Sequence, residues 1–496
     1  MNSVNEKRHF TSLMIAAVLG VVIANTSDAG NDRVSGRTVG MARTFTASSR
    51  GLDALGLNPA NLALDDRGST VTFEVAPFGF RAGSDFINYQ IYQDDFTGVD
   101  SLDANGKPTG VRVAKLLSQS DKDAILGLFP GGISHTHFNF DVTEFGLTVQ
   151  SKTLGGIGFC VSDRVGVNLD LPEGYLRMLL NGFPETGATY TLDNTSIKAS
   201  WLREYNLSYA RILPIELPWA KDIAVGIGIK YVQGFGYSAT DHYIGNIQVV
   251  PTIVPADTGN VLGSEPISGS VDFLQFESNA NSVSVDQSKV KLSNNVSDFM
   301  SKPAGRGIGF DFGVSAEVIQ ALRVALSITD IGKITWDQNT KAIVGNAKFS
   351  ISDIINQQDS LKNVFKGETR DTTSFTSSLP AAMHIGAAFQ VDKASFFSHF
   401  PGQLLIAADV NVGFNEEPGN TKTPRYSLGT EYRPVNAFPI RTGISIGGQE
   451  GFNWSLGIGI NTPVWDLDLG TQSIALLTNP NSFRNASFTL GMRFRI

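Results

Sequence analysis

A chain of 496 residues with a net charge of −8, 42% hydrophobic residues and a mean hydropathy near zero excludes several classes at once. The acidic balance leaves no basic footprint for nucleic acid, and the low mean hydropathy excludes a bundle of membrane helices. Its single cysteine, Cys160, excludes an intrachain disulfide framework.

In chain order, Lys7, Arg8 and His9 precede an apolar run from Phe10 to Ala24, and Ser27 and Ala29 supply the small residues of a cleavage site. Residues 1–29 therefore read as a secretory signal peptide, which implies export. Residues 30–68 are rich in Gly, Ala and Ser, and their short helical patch ends at Asn58-Pro59. A compact segment of this kind ahead of the first strand reads as a plug for whatever the strands enclose.

Strands begin near residue 69 and run to the C-terminus, so residues 69–496 read as one β unit. STVTFEVAPFGF and DFINYQIYQ read as a first pair, followed by a long loop near 94–134 with a helix that stops at Pro130-Gly131-Gly132. The third strand, THFNFDVTEFGLTVQ, carries Phe138, Phe140 and Val142 on one face, then Phe145, Leu147 and Val149 after a one-residue slip. That slip predicts a β-bulge at Thr143 and Glu144. Residues 235–300 resist assignment, and a second long loop with a helical patch spans about 337–378.

The clearest alternation lies in residues 305–336, where Phe310, Phe312, Val314, Leu322, Val324 and Leu326 form one apolar face. The opposite face carries Asp311, Glu317 and Arg323, and in the last strand Arg493 and Arg495 oppose Phe494 and Ile496. Each arm has about the 9–11 residues a tilted transmembrane strand needs. The expected fold class is all-β: a transmembrane antiparallel barrel of 14 to 16 strands, with a lumenal hatch and short helical patches in loops. A soluble sheet with one wet face spells the same alternation. The lumen charges mix both signs, which suits walls that pair with each other or with a hatch.

Chemistry is sparse. No G-x-S-x-G turn is present, His384 lies on a lumen face without a recognisable nucleophile, and His135 with His137 makes only two ligands of a metal site. No enzyme, metal or cofactor is expected.

The run SSRGLDALGLNPANLAL resembles the N-terminal hatch of the FadL-type outer-membrane transporters, whose Asn-Pro-Ala motif falls here on Asn58, Pro59 and Ala60. That resemblance implies 14 strands, an outer-membrane location, and passage of hydrophobic small molecules that leave sideways at a kink in the third strand. GFDFGVSAEVIQALRVALSITDIGKITW and SSLPAAMHIGAAF also resemble barrels of the Bacteroidetes and Chlorobi lineages, some of which attach or shuttle partner proteins. The closing strand resembles the signal read by the outer-membrane insertion machinery, with Ile496 where Phe is usual. Expected partners are thus outer-membrane lipid, that machinery and a hydrophobic ligand.

Overall fold

The two-residue alternation of the sequence becomes a closed wall. A computed structural model describes residues 35–496, excepting 94–96, 104, 114, 130, 184–186, 216, 251–265, 282, 287–288, 293–301, 353–356, 398–399, 449, 475–477 and 479–483. The signal-peptide residues lie outside the described part.

We number the principal strands in chain order: β1 Val71–Val75, β2 Phe78–Ser84, β3 Ile133–Ser151, β4 Gly155–Pro172, β5 Ser196–Ile212, β6 Lys221–Val249, β7 Ile267–Asn279, β8 Gly305–Ile319 and β9 Leu322–Trp336. They continue with β10 Lys341–Ile351, β11 Ala382–Gln390, β12 Gln403–Gly413, β13 Arg425–Arg433, β14 Ile440–Gly447, β15 Asn453–Asn461, β16 Trp465–Thr471 and β17 Asn485–Arg495. Each wall strand pairs antiparallel with the next, and β17 closes the circle on β1 and β2. With β1 and β2 counted as one interrupted position, and β7 and β10 outside the ring, the barrel has 14 strands.

One end carries short turns and the other the long loops. At the long-loop end the 29-residue β6 outruns the wall and joins β7, which pairs with β10, as a sheet standing clear of the barrel. The region 235–300 is thereby partly explained: its polar stretches include strand that never meets the apolar belt. Helices Glu173–Asn181 and Gln358–Lys366 sit in the connections. No helix among the described residues is long and apolar enough to cross a membrane.

Side chains sort by parity. Phe310, Phe312, Val314, Val324 and Leu326 all stand exposed on the outside, as do Leu207, Ile227, Ile385, Leu428 and Phe488 on other strands. The inside holds the polar partners, with Asp311, Lys230, His384, Arg441 and Asp466 almost wholly buried. An apolar exterior around a polar interior is the reverse of a soluble domain, and is what a barrel surrounded by lipid requires.

Two strand assignments need correction. The segment DFINYQIYQ is no strand: Asn88 Oδ1 accepts from Ile91 N at 2.8 Å and caps a short helical turn over Tyr89–Ile91. The first wall position is instead β1 plus β2, so the strand with the slip at Thr143 and Glu144 is the second position, not the third.

Candidate functional site: a hatch-filled lumen and a kinked wall

Residues 35–68 occupy the lumen and are almost entirely buried up to Leu64. Asn58 organises the segment. Its Oδ1 accepts from Ala60 N at 3.1 Å and its Nδ2 donates to Thr46 O at 3.1 Å, while Pro59 opens the short 3-10 turn Pro59–Ala63. Proline fits that first position because its missing N–H would have no helical partner there. Asn61 Nδ2 also donates to Thr46 O, so two amides tie the motif to the preceding loop.

The wall meets this segment with glycine. A Cβ at Gly313 would collide with Asn58 Oδ1, and one at Gly226 would collide with the Pro59–Ala60 peptide. Around the ring, Gly443 and Gly457 likewise leave room for the hatch backbone at Met41 and Gly40. Lumen-facing glycines therefore set how closely the hatch can seat. Cys160 is buried with Leu52, Leu55 and Leu62 of the hatch, as a packing residue.

Charges lock the same contact. Arg493 Nη2 and Nη1 donate to the two oxygens of Asp53 at 2.8 and 2.9 Å, and Arg37 Nε donates to Glu431 at 3.1 Å. Arg495 reaches Asp66 at 2.7 Å and Asp466 at 2.8 Å, and Arg67 also pairs with Asp466. Asp409 Oδ2 accepts from Phe45 N, Thr46 N and Thr46 Oγ1 at 2.7, 2.8 and 2.7 Å. Of the lumen charges singled out from sequence, Arg493 and Arg495 are hatch anchors. Asp311 belongs to a second group, where Lys230 pairs with it at 3.2 Å and also with Asp330 and Glu204. Glu317 and Arg323 stand apart near a short turn, Glu317 accepting from Ala321 N and Arg323 donating to Asp222 O and Ser315 Oγ.

Asp330 enters that second group through a device the sequence hides. Opposite the single Asp311, β9 carries two residues, Thr329 and Asp330, both turned inward, with Asp330 at φ 57° and its N donating to Asp311 Oδ1 at 2.9 Å. Beyond this bulge the parity of β9 flips, and Ile334 and Trp336 point inward to pack with Val232, Phe235 and Leu379.

A second irregularity couples two neighbouring strands. Register between β3 and the first position is unbroken, from Glu74↔Gly146 and Val75↔Phe145 to Phe78↔Val142. Yet β3 slips against β4 between Thr143 and Phe145, and the first position slips against β17 between Glu74↔Arg493 and Phe78↔Leu490. Val75 and Ala76 both face out, Ala76 at φ 53°, and Pro77, which has no N–H to give, turns in. Two strands thus kink together at one level, held across the kink by Thr143 N donating to Pro77 O at 3.0 Å. On the outer face Glu144 reaches Arg203 at 2.8 Å, and Arg203 also binds Asp163 at 2.7 Å.

At the long-loop end a polar vestibule of about 730 Å³ opens above the hatch. Asp85, Asp170, Glu416 and Glu450 line it together with Lys198 and Arg484. His135 Nδ1 meets Asp170 Oδ1 at 2.7 Å, and that hydrogen bond raises the imidazole above its ordinary pKa. Burial pushes the Asp85 carboxyl up. Sequence reasoning placed His135 and His137 together; the structure separates them, His135 in the vestibule wall and His137 buried behind it. His384 is buried too, between Thr329 Oγ1 and Asn411. No cluster of three or more His, Cys, Asp or Glu able to hold a metal is found among the described residues.

This geometry defines a class: a closed β-barrel with an apolar exterior and a lumen stopped by its own N-terminal segment. The chain matches the family of unknown function DUF5723 over residues 87–467, and it belongs to that family. No curated protein matches it. Among solved structures it is similar to the toluene transporter TbuX of Ralstonia pickettii, at TM-score 0.45 and 13% identity over 94% of this chain and 99% of that one. A FadL homologue of Pseudomonas aeruginosa gives TM-score 0.45 and 11% identity over 95% and 100% of the two chains. The Pseudomonas putida toluene transporter TodX gives 0.40 and 10% over 95% and 98%.

Proposed function

We propose that this protein sits in the bacterial outer membrane, long loops outside, and passes hydrophobic small molecules inward with sideways exit through the wall. The observation that carries this reading is the double kink at Val75–Pro77 and Thr143–Glu144, where two adjacent strands leave register with the rest of the wall while staying in register with each other. Such a pair can swing as a unit, because only the bonds to β4 and β17 need to change. The hatch motif Asn58, Pro59 and Ala60 and the FadL-type resemblance support the same reading. The state described is closed, with the pair still hydrogen-bonded to β4 on one side and to β17 on the other.

Removing Ala76 and Glu144 together tests it. The double deletion keeps the two strands in mutual register and restores continuous ladders on both flanks. The barrel is expected to fold, judged by its heat-dependent gel mobility, and to lose uptake of a labelled long-chain hydrophobic compound. Unchanged uptake in the folded double deletion overturns sideways exit.

A second reading is a barrel that anchors partner proteins. It is favoured by the lumen, where hatch residues such as Leu52, Leu55 and Leu62 and charge pairs such as Arg493 with Asp53 are buried, and by the sheet of β6, β7 and β10 that stands beyond the wall.

A further inference from the structure

The vestibule does not have the chemistry of a hydrocarbon funnel. Of its four carboxylates Glu450 is paired with the buried Arg43 at 3.1 Å, and the remaining three, Asp85, Asp170 and Glu416, outnumber the two permanent cations of the lining, Lys198 and Arg484. Lys198 is already engaged, donating to Glu416 O at 3.1 Å. The hydrogen bonds described to three of the carboxylates fall on one oxygen each. Asp85 Oδ1 accepts from Ser134 Oγ and His135 N at 2.9 Å, Asp170 Oδ1 meets His135, and Glu416 Oε1 accepts from Lys422 N at 2.8 Å and Thr421 Oγ1 at 3.2 Å.

A separate observation points to a ligand. Asn168 lines the vestibule at 5% exposure, and its Oδ1 is buried without a hydrogen-bond partner. Beside it in the register, His137 is 1% exposed with neither ring nitrogen bonded. A buried acceptor left unpaired forfeits its hydration without replacing it, so such atoms are normally satisfied by something the protein holds. An unpaired acceptor in the wall of a cavity of negative balance calls for a donor that is also cationic. The cavity's volume falls within the roughly 300–1,000 Å³ of small-molecule sites.

We propose that the vestibule is a binding site for a small organic cation, an amine whose N–H groups donate to Asn168 Oδ1 and whose charge is balanced by Asp85, Asp170 and Glu416. If cargo passes as proposed above, it is then an amphipathic amine, with its polar end held here. The binding site itself does not require passage.

The test is calorimetry on the purified full chain in detergent, with 1,4-diaminobutane, its neutral counterpart 1,4-butanediol and the dianion succinate as probes. The diamine is expected to bind at least about tenfold more tightly than the diol, with succinate not binding, and the affinity should fall as salt rises. Asp170→Asn and, separately, Asn168→Ala should each weaken the diamine several-fold while leaving heat-dependent gel mobility unchanged. Equal binding of diamine and diol, preference for succinate, absence of diamine binding at millimolar concentration, or full affinity in both folded variants overturns the proposal. Diamine binding without uptake of any hydrophobic compound leaves this site standing and fails the transport reading; uptake without diamine binding does the reverse.

Discussion

Arg493, three residues from the C-terminus, holds Asp53 of the hatch through two parallel hydrogen bonds of 2.8 and 2.9 Å, both groups buried. The last strand to be made therefore clamps the first segment of the described chain, across 440 positions of sequence. Breaking one side of such a pair leaves an uncompensated buried charge, which costs about 3–5 kcal/mol. Asp53→Ala should lower stability in urea by that amount and open residues 35–68 to limited proteolysis. A variant with unchanged midpoint and unchanged cleavage would show that the clamp does not hold the hatch.

Gly313 presses on Asn58 so closely that any side chain must displace one of them. Gly313→Val should cost about 1–3 kcal/mol through overpacking, and the strain should fall on the hatch rather than on the wall, whose ladder is anchored on both sides. Protease sites within residues 35–68 should become accessible while the heat-dependent gel shift of the barrel persists. Loss of the gel shift itself would place the strain in the wall.

The wall was legible in the sequence because alternation is enforced residue by residue by the pleat. Phe310, Phe312 and Val314 outside with Asp311 inside needed no tertiary knowledge; alternation left 14 to 16 strands, and the number 14 and the lumenal hatch rested on the FadL-type resemblance and the composition of residues 30–68. Irregularity was legible only where it left a mark in the apolar spelling, as at Thr143 and Glu144. The companion kink at Ala76 and Pro77 passed as continuous strand, and counting DFINYQIYQ as a strand displaced the numbering by one. DFINYQIYQ alternates, yet Asn88 captures the backbone locally. The inward turn of both Thr329 and Asp330 was invisible because Ile328 and Ile331 keep the run apolar. Pairings such as Arg493 with Asp53 depend on closure of the whole barrel, and no local pattern encodes them.

Lys230 is enclosed by Asp311, Asp330 and Glu204, all four groups buried. Lys230→Met fills similar volume but leaves Asp311 without its cation and Glu204 and Asp330 with Arg164 alone, and should destabilise by about 3–5 kcal/mol. Adding Asp330→Asn to the same chain should recover part of the loss, which a urea titration of the single and double variants will resolve. Strict additivity of the two substitutions would show that the residues are not coupled.

His135 should report on the vestibule. Its folded pKa is raised above the ordinary 6.5 by the hydrogen bond with Asp170. The protonated pair therefore contributes stability that is fully present below pH 6.5 and lost as pH rises through the folded value. Asp170→Asn should move the imidazole titration, followed by NMR, downward and flatten the pH dependence of stability in that window. A titration that does not move would contradict the pairing.

The most direct test of the central claim, that residues 35–68 are the stopper of a conduit through the outer membrane, is uptake of a labelled long-chain hydrophobic compound into liposomes. The intact chain would be compared with a chain lacking that segment. The account predicts protein-dependent uptake by the intact chain and altered uptake without the stopper. No uptake by either form, with both folded in the bilayer, would contradict it and leave the anchoring role.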